Sequence, residues 1–449
     1  MVHKCIKCNF IHEGEFPDGY LCPLCYANVF DFRLIETEEK IYNRIEISKD
    51  NPGINRIEEK CTNCGACRNT CENIVGIKYD AKEICITCGR CVLTCPTGAL
   101  TPKYDYNLVW ELINIPEKTV VVMTSPAVRV GIGDAFGFEP GKFLEGKMIA
   151  ALKTLGFNHV FDTSFGADLT GIQEATELSN RIKNKSKLPL FTSCCPAWVK
   201  YVNNYHPKLT KNISSCKSPI AMQTSVLREI FAKEEELNDQ DLVIVALTPC
   251  TAKKEEIINS GCDYVITTSE LALLLREQNI DFKNLADQEF DNLIGSSSGI
   301  NFGASGGVML SALRTFYYQE TGKNLTDDKL LVQKKDFYTE YSFKIKSEHF
   351  KCAVVSNMFN LEKLLPIKNE FIFIEVMNCQ GGCINGGGQI IMPIKDMPDI
   401  IKQRQKSLVN YDQKSKLKYP YLNPIVKELY EEYLDEPISE KAKGLLHKD

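Results

Sequence analysis

The sequence predicts a large α/β domain with parallel sheets and Cys-bearing loops at the C-terminal ends of its strands, preceded by smaller cysteine-rich modules. Three observations predict it. From about residue 117, apolar strand-like runs alternate with amphipathic helix-like runs. Three of the four main strand-like runs end in a loop carrying cysteine. Before that point the cysteines crowd into C-x-x-C clusters. The chain has 449 residues, too many for one ordinary core. Hydrophobic residues at 44% and charged residues at 25% are ordinary for a globular protein. A net charge of −5 gives no footing for nucleic-acid binding, and no apolar run is long enough to span a bilayer. The N-terminus shows no basic-then-apolar signal pattern, so a cytoplasmic location is expected.

Twenty cysteines dominate the composition. Clustered spacing in a long chain favours reduced thiolates holding metal over disulfides. The six His are scattered and mostly far from those clusters, which argues against a His-based metal site.

Taken in order, residues 1–34 form a four-cysteine knuckle with Cys5, Cys8, Cys22 and Cys25 around a turn-rich stretch. Four thiolates suit one tetrahedral ion, and both zinc and a single iron accept them. The segment resembles the rubredoxin-like modules found with rubrerythrins; a zinc ribbon is the other reading, and iron is favoured because electron carriers follow it directly in the sequence. Residues 35–55 are charged and polar and read as a linker or short connecting helix. In residues 56–102, Cys61, Cys64, Cys67 and Cys71 follow C-x2-C-x2-C-x3-C, and Cys85, Cys88, Cys91 and Cys95 repeat it with Pro96 behind. Three closely spaced thiolates wrap one cubane and the fourth reaches the other cluster. One 4Fe–4S cluster is therefore expected on Cys61, Cys64, Cys67 and Cys95, and a second on Cys85, Cys88, Cys91 and Cys71. This segment resembles a bacterial two-cluster ferredoxin, a small α+β fold, and departs from it at Glu72, where Pro is usual.

From residue 103 onward, the strand-like runs 119–126, 188–196, 242–250 and 371–379 matter most. Ligands of open α/β sheets lie beyond the carboxyl ends of strands, so distant cysteines can converge there. The loops TSCCPAW (192–198), TPCTAKKEE (248–256) and EVMNCQGGCINGGGQI (375–390) offer Cys195, Cys250, Cys379 and Cys383, enough for a cubane. Glycines around Cys383 permit close backbone approach to something bulky. Lys253 puts a cation beside a negatively charged cluster. The tail 400–449 is Lys/Glu-rich, and NPIVKELYEEYL suits a surface helix.

These three loops, in this order, resemble the signature loops of the FeFe-hydrogenases, over roughly residues 56–449. The resemblance implies an α/β catalytic domain over 103–449, with a small-subunit-like region from about 395, that interconverts H2 with protons and electrons. It implies an H-cluster: a 4Fe–4S cubane joined to a two-iron unit carrying CO, cyanide and azadithiolate. Cys195, Cys250, Cys379 and Cys383 would bind the cubane. Cys383 would bridge to the two-iron unit, and Lys253 would bond a cyanide. Cys194 would relay protons through Glu174, Ser214 and Glu177 to solvent. Read without the resemblance, Glu174 and Glu177 are simply three apart on one helix face. Ser125, Pro126 and Gln389 would border the cofactor, and FGASGG (302–307) would add a small-residue loop.

Thr248, Ala197, Asn378 and Ile390 replace the usual Met, Gly, Ala and Pro, a pattern that looks like the subgroup called group B. Cys216, Cys262 and Cys352 read as core residues. The implied partners are H2 and protons, a soluble redox protein of ferredoxin type, and the maturation proteins that supply the two-iron unit. Two other readings share the motifs: an H2 sensor, and an iron–sulfur assembly relative. The first lacks an appended signalling domain here. The second should lose Cys194, Lys253 or Cys383, all of which are present.

Overall fold

The computed structural model describes residues 2–8, 10–35, 43–77 and 85–448. The first unit is a three-stranded antiparallel sheet. Its strands are β1 (Val2–Cys5), β2 (Ile11–Glu13) and β3 (Phe32–Ile35), with β1 in the centre. Phe16 packs on Tyr20 at 5.0 Å and on Phe32 at 4.9 Å between ring centroids, which gives this small module an aromatic core.

Residues 43–55 do not form the expected linker; the preceding 36–42 lie outside the described residues. Ile45 and Ile54 are buried against Cys67, Cys91 and Leu100. The Asn51 side-chain Oδ1 accepts from the amides of Gly53 and Ile54 at 3.1 and 2.9 Å, turning the chain into β4 (Ile54–Arg56). That strand pairs antiparallel with β5 (Leu100–Pro102). The polar texture that suggested a linker belongs to an asparagine-fixed turn around two apolar anchors.

Beyond residue 103, two sheets carry the large domain. β6 (Thr119–Thr124), β7 (His159–Asp162), β9 (Leu242–Thr248) and β10 (Tyr264–Thr267) form a wholly parallel sheet in the order β10-β9-β6-β7. One of the expected runs between them supplies only the two-residue β8 (Leu190–Phe191). β6 and β9 are apolar without alternation because both faces are covered. Val120, Val122 and Val245 pack toward Leu152, while Val121, Met123 and Ile244 pack toward Phe161.

The second sheet is mixed, where parallel pairing was expected throughout. Its order is β11 (Leu331–Lys334), β12 (Thr339–Ile345), β13 (Glu348–Ser356), β14 (Phe373–Met377), β8. β14 is parallel to both neighbours, but β11, β12 and β13 run antiparallel. The reason is local: two residues join β12 to β13, and Lys346 there takes a left-handed φ of 54°. A connection that short permits only a hairpin.

The loops that follow β6, β9, β8 and β14 meet in one buried region. The tail closes over the far side. The segment NPIVKELYEEYL is helical from Pro424 to Leu429, then continues as a π turn over Tyr430–Leu434. It buries Val426 and Tyr430 against Leu169, Ile172 and Cys216. No described helix is long and apolar enough to cross a membrane.

Candidate active site

Each of the three cysteine loops leaves the end of a strand. Cys194 and Cys195 follow β8, and Cys195 is the N-cap residue of the helix Pro196–Tyr205. Cys250 follows β9, and Cys379 and Cys383 follow β14. All five line one cavity, together with Lys253, Ser125 and Pro126. Thr248, Ala197, Asn378, Phe302 and Gly303 border it as well.

Four of these thiols form a donor set that fits a cubane. Burial pushes Cys195, Cys379 and Cys383 above the ordinary thiol value and Cys250 up to about 12. Positive charge holds such thiols as thiolates, and iron would supply it. The Lys253 ammonium already acts in that direction on Cys195, Cys250 and Cys383. Lys253 is buried and stays charged because Glu256 pairs with it at 2.5 Å; its Nζ also donates to the Cys194 carbonyl at 3.2 Å.

The glycine-rich loop is packed more tightly by protein than its sequence suggested. A side chain at Gly386 would collide with the Pro249 carbonyl, and one at Gly387 with the Cys88 carbonyl. These glycines let three backbone loops touch. Gln389 is not among the cavity-lining residues. Its Nε2 donates to the Ala127 carbonyl at 3.1 Å, bracing the loop that presents Ser125 and Pro126. Ile390 packs outward against the core of the first sheet.

From the cavity a polar series runs toward the surface. Cys194 is buried, its thiol pushed well up by burial and then by the Glu174 charge. Glu174 lies on the helix Ser164–Lys183, fully buried. Its Oε1 accepts weakly from the Ser193 amide at 3.3 Å, while Oε2 has no hydrogen-bond partner. Burial, then the charge of Glu177, pushes its carboxyl up to about 8. Ser214 donates to Glu177 at 2.7 Å and also faces Glu174. Glu177 pairs with Arg181 at 2.6 Å and borders an open surface pocket shared with His447 and Lys448.

Sequence reasoning missed three groups here. Arg181 is one. His447, from the tail, lies in hydrogen-bond contact with the Ser215 hydroxyl at 2.8 Å and with Gln173 at 3.0 Å. Nothing in its sequence surroundings marks it. Glu375 accepts from the amides of Gly306 and Met309 at 2.6 and 2.7 Å, and burial pushes it up to about 7. A lone carboxylate inside the apolar run FIFIEVM was its available signal. Of the three unassigned cysteines, Cys262 and Cys352 are core residues. Cys216, also buried, lies 3.9 Å from Glu177 and 4.0 Å from His447.

Cys67, Cys71, Cys85, Cys91 and Cys95 of the ferredoxin-type segment pack into one small core with Ile45, Ile54 and Leu100. Arg56 donates to Cys61 at 3.3 Å. Cys88 itself lines the cavity that the catalytic-loop cysteines share. The junction is firm: Thr251 donates to the Thr87 carbonyl at 2.7 Å, and Arg90 donates to the Asn385 carbonyl and side chain at 3.0 and 2.8 Å. At the far end, the sulfurs of Cys5, Cys8, Cys22 and Cys25 lie within 4.8 Å of one another, a tetrahedral ion's reach. Cys64 packs against that module.

Comparison with known proteins places this arrangement. The family model for the iron-only hydrogenase large subunit, C-terminal domain, matches residues 118–387. That for the iron hydrogenase small subunit matches 398–449, and a 4Fe-4S binding domain model matches 81–101. The chain is 36% identical over 432 residues to an NADP-reducing hydrogenase subunit of Solidesulfovibrio fructosivorans, covering 87% of this chain and 73% of that one. It is 36% identical over 369 residues to iron hydrogenase 1 of Clostridium pasteurianum, covering 78% of this chain and 64% of that one. A solved FeFe-hydrogenase variant from Chlamydomonas reinhardtii superposes with a TM-score of 0.68 at 32% identity, over 76% of this chain and 97% of the other.

Fold and site therefore define an iron–sulfur oxidoreductase of α/β architecture. Its particular family follows from the matched models and identities: the chain belongs to the FeFe-hydrogenases, and its cofactors are the H-cluster and 4Fe–4S clusters of that family.

Proposed function

We propose that this chain catalyses 2H+ + 2e− ⇌ H2, with electrons passing through its N-terminal clusters and protons through the polar series behind Cys194. One observation carries the reading: Cys195, Cys250, Cys379 and Cys383 converge with Cys194 and Lys253 on a single buried cavity. Those four thiolates would hold the cubane, and Lys253 would face the two-iron unit. When bound, the H-cluster supplies the redox-active metal at which protons and electrons combine.

The protein supplies the surroundings. Apolar walls limit water, and the Lys253 charge offsets the charge of the site. The Cys194 thiol holds a proton at the cavity wall. Glu174 takes or returns that proton behind it, and its raised value keeps a proton available near neutral pH. Ser214 rotates between Glu174 and Glu177, and Glu177 exchanges with water in the surface pocket.

Cys61, Cys64, Cys67 and Cys95 are assigned to the outer 4Fe–4S cluster, and Cys71, Cys85, Cys88 and Cys91 to the inner one beside the cavity. We assign iron to Cys5, Cys8, Cys22 and Cys25, on the contact between that module and Cys64. A ferredoxin-type protein is the proposed electron partner, maturation proteins the source of the two-iron unit, and the reducing cytoplasm the location.

Infrared spectroscopy of the anaerobically matured protein tests the reading. Metal-bound CO and cyanide bands that shift under H2 are the expected result. Their absence from protein fully loaded with cubanes refutes it. Cys194→Ala is expected to keep the bands and lose turnover; unchanged turnover removes Cys194 from the proton route.

A further inference from the structure

Asn378 stands between the two cysteine sets that must exchange electrons. It is the first residue after β14 and directly precedes Cys379. Only 3% of it is exposed, yet neither Nδ2 nor Oδ1 completes a hydrogen bond. A buried amide left unpaired is costly, so such a side chain in a native fold points to a partner. Asn378 lines the cavity beside Cys88 from the inner ferredoxin-type set and Cys195 and Cys379 from the catalytic set. One residue thus borders ligands of both sets.

Cluster sulfurs accept hydrogen bonds, and such bonds help set a cluster's reduction potential by stabilising its more negative, reduced form. We propose that the Asn378 amide is a hydrogen-bond donor that raises the potential of the inner ferredoxin-type cluster and matches it to the catalytic cubane. The proposal rests on the ligand assignment given above. Asn378 acts through the cluster environment, as a positioning residue; it transfers no proton and no electron.

The test uses protein carrying its 4Fe–4S clusters without the two-iron unit. Iron content and cluster EPR of the unaltered protein come first, and they check the ligand assignment by themselves. EPR-monitored redox titration then compares it with Asn378→Leu, of similar volume without a donor, and Asn378→Ser, which keeps one. In Asn378→Leu the reduced fraction of the inner cluster, measured at the unaltered protein's midpoint, should fall several-fold, with partial recovery in Asn378→Ser. The cluster of Cys61, Cys64, Cys67 and Cys95 should not move. An unmoved inner cluster, or an equal shift of both, overturns the proposal.

A second measurement avoids altering Asn378. Asn51, whose Nδ2 points at Cys85 Sγ from 3.8 Å, is replaced by Ala to remove its own signal. Pulsed EPR of that protein, labelled with amide-15N asparagine, should show a 15N coupling at the reduced inner cluster. No coupling overturns the proposal.

Discussion

Glu174 shows how one buried carboxyl ties the proposed proton route to stability. Its folded value of about 8 lies above the ordinary 4.5. Between those values the native state holds a proton that the unfolded chain releases. The stabilisation is therefore complete below the unfolded value and is lost as pH rises through the folded one. Glu174→Gln removes that titration. Chemical denaturation at about pH 6 and about pH 9 should show a smaller loss of stability on alkalinisation in the variant than in the parent. The same variant should lose roughly 10²–10⁴-fold in turnover while its infrared bands stay in place. A variant that retains full turnover removes Glu174 from the route.

Glu375 is a different kind of carboxyl, holding a loop instead of a proton path. Glu375→Gln can accept from only one of the Gly306 and Met309 amides, because its NH2 faces the other. The expected cost is about 1–3 kcal/mol in unfolding free energy. An unaffected denaturation midpoint would show that the loop 302–309 stands without it.

At the scale of elements, the site depends on how closely loops approach. Gly386→Ala would push the Cys383 loop away from Pro249 and hence from Cys250. Overpacking of this sort costs about 1–3 kcal/mol. The sharper readout is metal: the cubane should be lost, while the ferredoxin-type clusters keep their EPR signals. The tail is the second such element. Lys217 donates its amide to the Leu446 carbonyl at 2.9 Å, and the Lys448 amide donates to Ser215 at 2.8 Å. His447 sits between these bonds, its value lowered by burial. For a base with a depressed value, the unfolded chain takes up the proton first as pH falls. Docking of the tail should therefore weaken below the ordinary His value of 6.5. Amide exchange over residues 440–448 should be faster at about pH 5.5 than at about pH 7.5, relative to the core of the first sheet.

Across the whole molecule, the inner ferredoxin-type segment is bolted onto the catalytic loops. Besides Thr251 and Arg90, Glu255 accepts from Thr87 at 2.7 Å and pairs with Lys200 at 2.6 Å. Arg90→Met deletes both bonds to Asn385 without touching a cysteine. Turnover driven by an electron donor should fall several-fold, while H/D exchange, which needs no external electrons, should hold. Equal loss of both would place Arg90 in the support of the catalytic site instead.

The sequence by itself determined the chemistry. Cysteine spacing is a local property, so the two ferredoxin-type sets and the four-cysteine knuckle were legible, and so were the three catalytic loops. Apolar runs covered on both faces announced β6 and β9 for the same local reason. Pairing is not local. Antiparallel β11–β13, the burial of Ile45 and Ile54 in an apparent linker, and the placement of Gln389 behind Ala127 depend on what each segment meets after folding. Tertiary structure alone brought His447 to the mouth of the polar series, some 270 residues from Gln173. It also set an unpaired amide at Asn378 between two cysteine sets. The physical reason is common to these cases: a side chain's type fixes which bonds it can make, and only packing decides which partners stand within reach.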